Sequence, residues 1–319
     1  MSASRRRRPG KRQSRSGSGW WLAAALVIVA SVGLTCARSA PHPGAPGRHA
    51  SSPPRTTHPT APAPPTAPLP VPTATDPGGI ARSIHAAMGV PADADPSDDY
   101  LMDKGSYVLS YNPGRRVANW VSWHLDRSLL GSARRKDKFM ADDALPPGFV
   151  RVTSSDYAHS GYDRGHLCPS ADRSDSDADN ATTFLMTNMH PQLHELNDGP
   201  WGDAEEHERT LARQGKSLFI IAGGVFGRSP KTIGRAAVAV PDASFKVMVI
   251  LEPGQRAGDV TASTPTLAVI MPNQPGVSRK RWTEYAVSID EVERVTGYDY
   301  LSSVSAAVQQ VIESRVGSE

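Results

Sequence analysis

Residues 41–79 are dominated by Pro, Ala and Thr, as in SSPPRTTHPTAPAPPTAPLPVPTAT. Such a stretch has few groups to bury and favours extended polyproline conformations, so it reads as a semi-rigid spacer and not as part of a core. Folding is thereby confined to residues 80–319, long enough for one large domain, with no further linker and no internal repeat.

Residues 1–40 form a different segment. Arg5, Arg6, Arg7, Arg8, Lys11, Arg12 and Arg15 precede a charge-free run from Trp20 to Cys36, WWLAAALVIVASVGLTC. Its 17 residues are at the short edge for a membrane span and slightly long for a signal-peptide core. Two alternatives stay open: a signal cut after Ala37 or Ser39, or a retained anchor with its basic flank inside. Both imply export, with the folded part either secreted or held at the outer face of the cytoplasmic membrane. A lipidated Cys36 is disfavoured, because Thr35 stands where Gly, Ala or Ser is expected. Cys36 and Cys168 are the two cysteines of the chain, so a disulfide framework is excluded as the source of stability.

Charge is divided as unevenly as composition. The formal net charge is +3, but ten of the 35 basic side chains lie before Asp76. Residues 76–319 hold the other 25 against all 32 acids, a net of −7. Any anion bound there must be held by a local basic cluster, because the global field opposes it.

Within 80–319, Ser106–Tyr111 and Ala118–Leu125 have strand-like content on either side of an Asn112-Pro113-Gly114 turn. Later apolar runs read as interior strands: Ser217–Ala222, Ala236–Val240, Phe245–Leu251 and Thr266–Met271. A helix is expected over Pro200–Gln214, with Pro200 at its first position and Gly215 as its stop. Ser288 and Glu291 form a capping box that opens another. The fold class is mixed α+β.

Two segments carry chemistry. In Tyr162-Asp163-Arg164-Gly165-His166 a titratable base stands behind a cation, with a glycine permitting a tight backbone. Cutting a phosphodiester needs a base for water, positive charge on the phosphoryl oxygens and help for the departing oxygen. Alone, the segment reads equally as a surface ion pair beside a structural histidine. The second segment runs from Thr187 through Asn188, His190, Pro191, Gln192, His194 and Asn197 to Trp201, Glu205 and Arg209, the last three on one helical face. Its bland reading is a helix capped by Asn197 or Asp198 with a solvated Glu205–Arg209 pair.

Together the two segments resemble the DNA/RNA non-specific endonucleases, the ββα-metal (His-Me finger) nucleases that include endonuclease G. The DRGH signature is intact at Asp163–His166, and the downstream pattern at Asn188, Pro191, Gln192, Asn197, Trp201 and Glu205. The likeness covers nearly all of residues 83–315. It implies a central antiparallel sheet with a ββα-metal finger whose strands flank His166 and whose helix begins just after Asn197. It further implies metal-dependent cleavage of DNA and RNA with little sequence or sugar preference, leaving 5′-phosphates. His166 would be the general base, and Asn197 the direct ligand of one hydrated Mg²⁺ or Mn²⁺. Glu205 would hold that ion's water, and Arg135 would stabilise the pentavalent phosphorus, with Arg134 adjacent and easily confused with it. Arg164 and Arg209 would complete the positive lining, and Asp163 would orient the loop. An inhibitor protein is a further possible partner.

Other features are expected to be incidental. Cys168 reads as a small buried thiol. His190 and His194 suggest a zinc pair, but Pro191 between them argues against a helix and no third ligand follows at metal spacing. His159 lies in the Ser-Gly-rich loop before the motif, within possible reach of the site. Gly223–Gly227 lacks the ending of a phosphate loop and reads as a strand-end turn. Two readings from other classes remain: a degenerate, non-catalytic binding protein, and an envelope-anchored interaction protein whose Pro-rich stretch carries the function.

Overall fold

The computed structural model describes residues 77–317, so the N-terminal 40 residues, with the apolar run 20–36, and all of the spacer up to residue 76 lie outside it. Among the described residues no helix is long and apolar enough to cross a membrane. Pro77–Ile80, at the end of the expected spacer, forms a short helix, α1, and buries Ile80.

Seven strands make one antiparallel sheet: β1 Tyr100–Asp103, β2 Val108–Asn112, β3 Val117–Leu125, β6 Ser217–Val225, β9 Ala243–Leu251, β10 Thr266–Pro272 and β11 Ala286–Val287, in the order β1-β2-β3-β6-β9-β10-β11. Two pairs stand outside it: β4 Asp163–His166 with β5 Met189–Gln192, and β7 Thr232–Ile233 with β8 Val238–Ala239. The helices after α1 are α2 Asp177–Thr182, α3 His194–Asn197, α4 Pro200–Arg213, α5 Ile289–Thr296 and α6 Ala306–Ile312.

Both faces of the large sheet are covered, which is why its central strands read as continuous apolar runs and not as alternating ones. Ile220, Met248 and Ile250 pack on one side with Trp123, Trp201 and Leu211. Phe219, Ile221, Val247 and Val249 pack on the other with Ile289, Val292, Tyr300 and Ile312. Helix α4 therefore lies on the first face and α5 and α6 on the second, as the period-2 alternation requires.

Helix α4 matches the expected segment to within a residue. Pro200 is its first residue, Gln214 caps it, and Gly215 follows at φ +94°, a left-handed conformation that glycine adopts without strain. It buries Trp201, Ala204, Glu208, Leu211 and Ala212, one stripe at helical spacing. The Asn112 carboxamide turns the β2–β3 hairpin by accepting from the backbone N–H groups of Gly114 and Arg115. Ser288 caps α5 through the Glu291 N–H.

Two expectations fail. Ala236–Val240 is no strand of the large sheet: only Val238–Ala239 pairs, in the small β7–β8 ribbon. The Gly234–Ala237 turn, with left-handed backbone at both ends, folds the segment onto Tyr157 and Met189 instead. Gly223 and Gly224 lie inside β6 and not in a turn. A Cβ at Gly223 would come within 2.7 Å of the Phe245 ring, so the absent side chain lets neighbouring strands close.

Candidate active site

The β4–β5 hairpin sets the site. Its register pairs Asp163 with Gln192, Arg164 with Pro191, Gly165 with His190 and His166 with Met189. His166 is thus the last residue of a finger strand, and the chain passes from β5 through α3, which ends at Asn197, into α4. A Cβ on Gly165 would collide with the Gln192 side chain, which reaches on to the Ser244 hydroxyl at 3.0 Å and ties the finger to β9. The Asn188 carboxamide clasps the turn after His166, accepting from the Cys168 N–H at 2.9 Å and donating to the Cys168 carbonyl at 2.8 Å. The Cys168 thiol is buried and free, pushed up to about 12 by burial, which leaves it inert.

His166 is 7 % exposed, and its Nε2 has no hydrogen-bond partner. Its ring stands edge-on to Phe184, with centroids 5.1 Å apart, and tilted against Phe139 at 5.8 Å. The same two rings carry the arginines: Arg164 lies 4.4 Å over Phe139 and Arg135 lies 5.3 Å over Phe184. One aromatic pair, 5.3 Å apart, therefore spaces a base between two cations. Burial, helped by Arg135 and then Arg164, depresses the His166 imidazole to about 3. The ring is neutral across the physiological range.

Asn197 is oriented from behind. Its Nδ2 donates to Asp163 Oδ2 at 3.1 Å, which leaves its Oδ1 as the open acceptor. The same Asp163 oxygen meets His194 Nδ1 at 2.9 Å. His194, expected to be incidental, is thus part of this support, whereas His190 is buried against Trp201 and held neutral by burial at about 3. His159 has a left-handed backbone, φ 56°, in the preceding loop and does not line the cleft.

From α4, Glu205 and Arg209 face the same space. Their carboxylate and guanidinium are 3.9 Å apart, but Arg209 is held more closely by Asp172 at 3.2 Å and Glu206 at 3.1 Å. Asp172 is fully buried and also accepts from Trp123 Nε1 at 3.0 Å. Beneath them Lys246 and Glu208 form a fully buried pair at 2.8 Å, with the ammonium 4.5 Å over Trp201. Burial pushes the Glu205 carboxyl up to about 8, with Lys246 and Arg209 opposing the shift and Asp172 and Glu208 adding to it.

A cleft of about 320 Å³ collects Arg135, Arg164, His166, Asn197, Glu205 and Arg209. Six of the seven candidate residues thus meet in one space, while Asp163 stands behind Asn197 and outside the lining. Arg134 is exposed and off the cleft, which resolves the ambiguity with Arg135. An adjoining cavity of about 500 Å³ shares Arg135 and Arg209 and adds Arg127 and Arg213. Sequence reasoning missed Phe139, Phe184, Asp172 and Lys246. Phe139 lies four residues after Arg135, but nothing in the linear order marks it as the seat of Arg164.

The profile of the DNA/RNA non-specific endonuclease family matches residues 86–307. A nuclease of Nostoc sp. is 48 % identical over 241 residues, which are 73 % of this chain and 86 % of that protein. The mitochondrial endonuclease G of Homo sapiens is 31 % identical over 231 residues, 69 % of this chain and 75 % of that protein. Among solved structures, a chain of the EndoG/EndoGI complex, which concerns EndoG inhibition, superposes with a TM-score of 0.61 at 26 % identity, covering 73 % of this chain and 95 % of that one. With the family matched across the whole site and the central antiparallel sheet shared with that complex, this chain belongs to the DNA/RNA non-specific endonucleases and is a hydrolase of nucleic acids.

Proposed function

We propose that the cleft hydrolyses phosphodiester bonds of DNA and RNA with His166 as general base and one divalent cation, leaving 5′-phosphates. The observation that carries this reading is the neutral His166 imidazole, free of side-chain hydrogen bonds, in the lining of a cleft that it shares with three arginines. A base must be unprotonated and unengaged to take a proton from water. His166 meets both conditions, and the aromatic pair fixes where its ring stands.

The donor set fits a hard cation. Asn197 Oδ1 and the Glu205 carboxylate offer oxygen only, which suits hydrated Mg²⁺ or Mn²⁺ better than a thiolate- or imidazole-seeking metal. In this reading Asn197 holds the ion directly and Glu205 holds it through water. When bound, the ion neutralises phosphate charge and supplies an acidic water to the leaving O3′. Arg164, over Phe139, and the more exposed Arg135, over Phe184 and paired with Asp137, face the phosphoryl oxygens, and Arg209 extends that lining on the α4 side. Asp163 positions Asn197. Arg127 and Arg213, in the adjoining cavity, continue the basic track along the strand. Contacts of this kind address phosphates and not base edges, which accounts for weak sequence preference.

The local cluster answers the charge objection: three arginines and a cation suffice for one phosphate, while the rest of the surface stays acidic. Few counterions are then released, so the salt dependence of binding is shallow. We further propose that residues 1–40 export the domain, as a cleaved signal or an anchor, and that residues 41–79 space it from the membrane. Fractionation of the full chain with and without residues 1–40 separates release from tethering. An inhibitor protein is a further proposed partner, by analogy with EndoG inhibition in the solved complex.

The test of the chemistry uses full-length protein on supercoiled plasmid and on RNA, with Mg²⁺, with Mn²⁺ and with EDTA. Cleavage of both substrates is expected only with metal. His166→Ala is expected to lower the rate by about 10²–10⁴-fold, the range of a general base, with circular dichroism unchanged. Equal cleavage in EDTA, or a His166→Ala protein as fast as wild type, would overturn the mechanism.

A further inference from the structure

On the sheet face opposite the cleft, α5 and the C-terminal segment bring three carboxylates together. Asp290 and Glu293 stand one turn apart on α5, and Glu313 directly follows α6. One oxygen from each lies within 4.8 Å of the other two. The backbone holds this spacing: the Asp290 N–H donates to the Glu313 carbonyl at 3.1 Å, and Ser288 bridges Val316 in antiparallel fashion.

Glu313 gives the cluster its meaning. It is 7 % exposed, and its Oε1 is buried with no hydrogen-bond partner. Other buried carboxylates among the described residues are compensated. Asp142 has Lys104 at 2.6 Å, Asp172 has Arg209, Glu208 has Lys246, and Asp156 accepts backbone N–H groups from Thr153 and Ala236. Around Glu313 the charged neighbours are acids. Burial pushes its carboxyl up to about 7, and Glu293, Asp299 and Asp290 all push the same way. A buried carboxylate facing other carboxylates is unfavourable while ionised, and either a proton or a bound cation relieves it.

We propose that Asp290, Glu293 and Glu313 form a second cation site, separate from the cleft, that takes Ca²⁺ and staples α5 to the C-terminal segment. The donors are oxygen only, and their spacing is compatible with Ca²⁺–oxygen bonds of about 2.3–2.6 Å. Mg²⁺ demands a stricter octahedron at about 2.0–2.1 Å and gives up its own water reluctantly. Ca²⁺ takes 6–8 ligands in adaptable geometry, so water completes the shell on the exposed Asp290 side. The Glu293 side chain is already steadied by the Tyr300 N–H, donating to Oε1 at 3.0 Å. The site acts on stability and not on the chemistry of cleavage.

The test uses the full-length Asn197→Ala protein, stripped with chelator, so that the proposed cleft ion has lost its direct ligand. Ca²⁺ is expected to raise its Tm by a few degrees, saturating at roughly 10 µM to 1 mM, the range of moderate protein sites. Tb³⁺ is expected to give saturable emission on tyrosine excitation, with Tyr298 and Tyr300 nearby, and Ca²⁺ is expected to displace it. Adding Glu313→Gln or Asp290→Asn should abolish both signals, while Glu313→Gln with Asn197 intact keeps full Mg²⁺-driven cleavage. Asp290 is exposed, so its variant decides the matter should Glu313→Gln fail to fold. No Ca²⁺ response in the Asn197→Ala protein, or an equal response after Asp290→Asn, overturns the site.

Discussion

At the scale of single residues, the site depends on groups that touch no substrate. Asp163 does not line the cleft, yet it holds the Asn197 amide so that one oxygen stays free. Its removal should act on the metal more than on the fold. Asp163→Ala is expected to raise the Mg²⁺ concentration for half-maximal cleavage by about 10–100-fold, the usual effect of losing a ligand's support. His194→Ala should matter less, because its ring is largely exposed and solvent screens its pairing with Asp163. Metal titrations of activity decide this, and an Asp163→Ala protein with unchanged metal demand would remove Asp163 from the scheme. The motifs marked His166, Asn197, Arg164 and Glu205 as candidates, and the structure brings all four into one cleft. His194 was not so marked, because its role lies in bonding a residue 31 positions away across the finger.

At the scale of elements, the finger works only if β4 and β5 close tightly. Gly165 is required for the space that Gln192 fills, so the two positions are coupled. Gly165→Ala is expected to destabilise the protein by about 1–3 kcal/mol, as overpacking does, and to lower activity by displacing His166. Combining it with Gln192→Ala should restore part of both losses, and a double-mutant cycle from urea unfolding measures the coupling. Additive effects would show that the collision is not what makes the glycine necessary. Helix α4 was readable from its Pro200 start and Gly215 stop, since both act through local backbone chemistry. The Ala236–Val240 segment misled because a short apolar run has no local sign of whether it pairs or folds back. Gly223 and Gly224 misled because glycine marks a turn and a close strand contact equally well.

At the scale of the whole molecule, stability is linked to pH by buried histidines of one sign and buried acids of the other. Burial lowers His85 to about 4 and His166 and His190 to about 3, so all three are neutral when folded. As pH falls below the unfolded value of about 6.5, the unfolded chain gains protons that the folded chain refuses, and stability drops. Glu205 and Glu313, raised to about 8 and about 7 in the metal-free fold, act oppositely. They favour the folded state increasingly as pH falls from 8 to about 4.5, the unfolded carboxylate value. The two trends oppose each other between about 4.5 and 6.5, and below 4.5 the histidines act without that offset. Urea midpoints in EDTA should therefore fall gently from pH 6.5 to 4.5, where three histidines outweigh two acids, and more steeply below. A steep loss already at pH 6 would mean that the raised acids do not offset the histidines.

By itself, the sequence determined what depends on neighbours along the chain: the apolar runs of the central strands, the caps of α4 and α5, and the paired motifs that mark the family. The paired motifs also marked His166, Asn197, Arg164 and Arg209 as candidates for the chemistry, with Arg135 left beside its neighbour Arg134. Only the tertiary structure decided which arginine of the Arg134–Arg135 pair faces the cleft, and that Phe139 and Phe184 space the cations around His166. It alone revealed the buried Asp172–Arg209 and Lys246–Glu208 pairs under the site, and the acidic cluster at Glu313. These depend on side chains distant in sequence being buried together, where loss of water makes each charge require a partner.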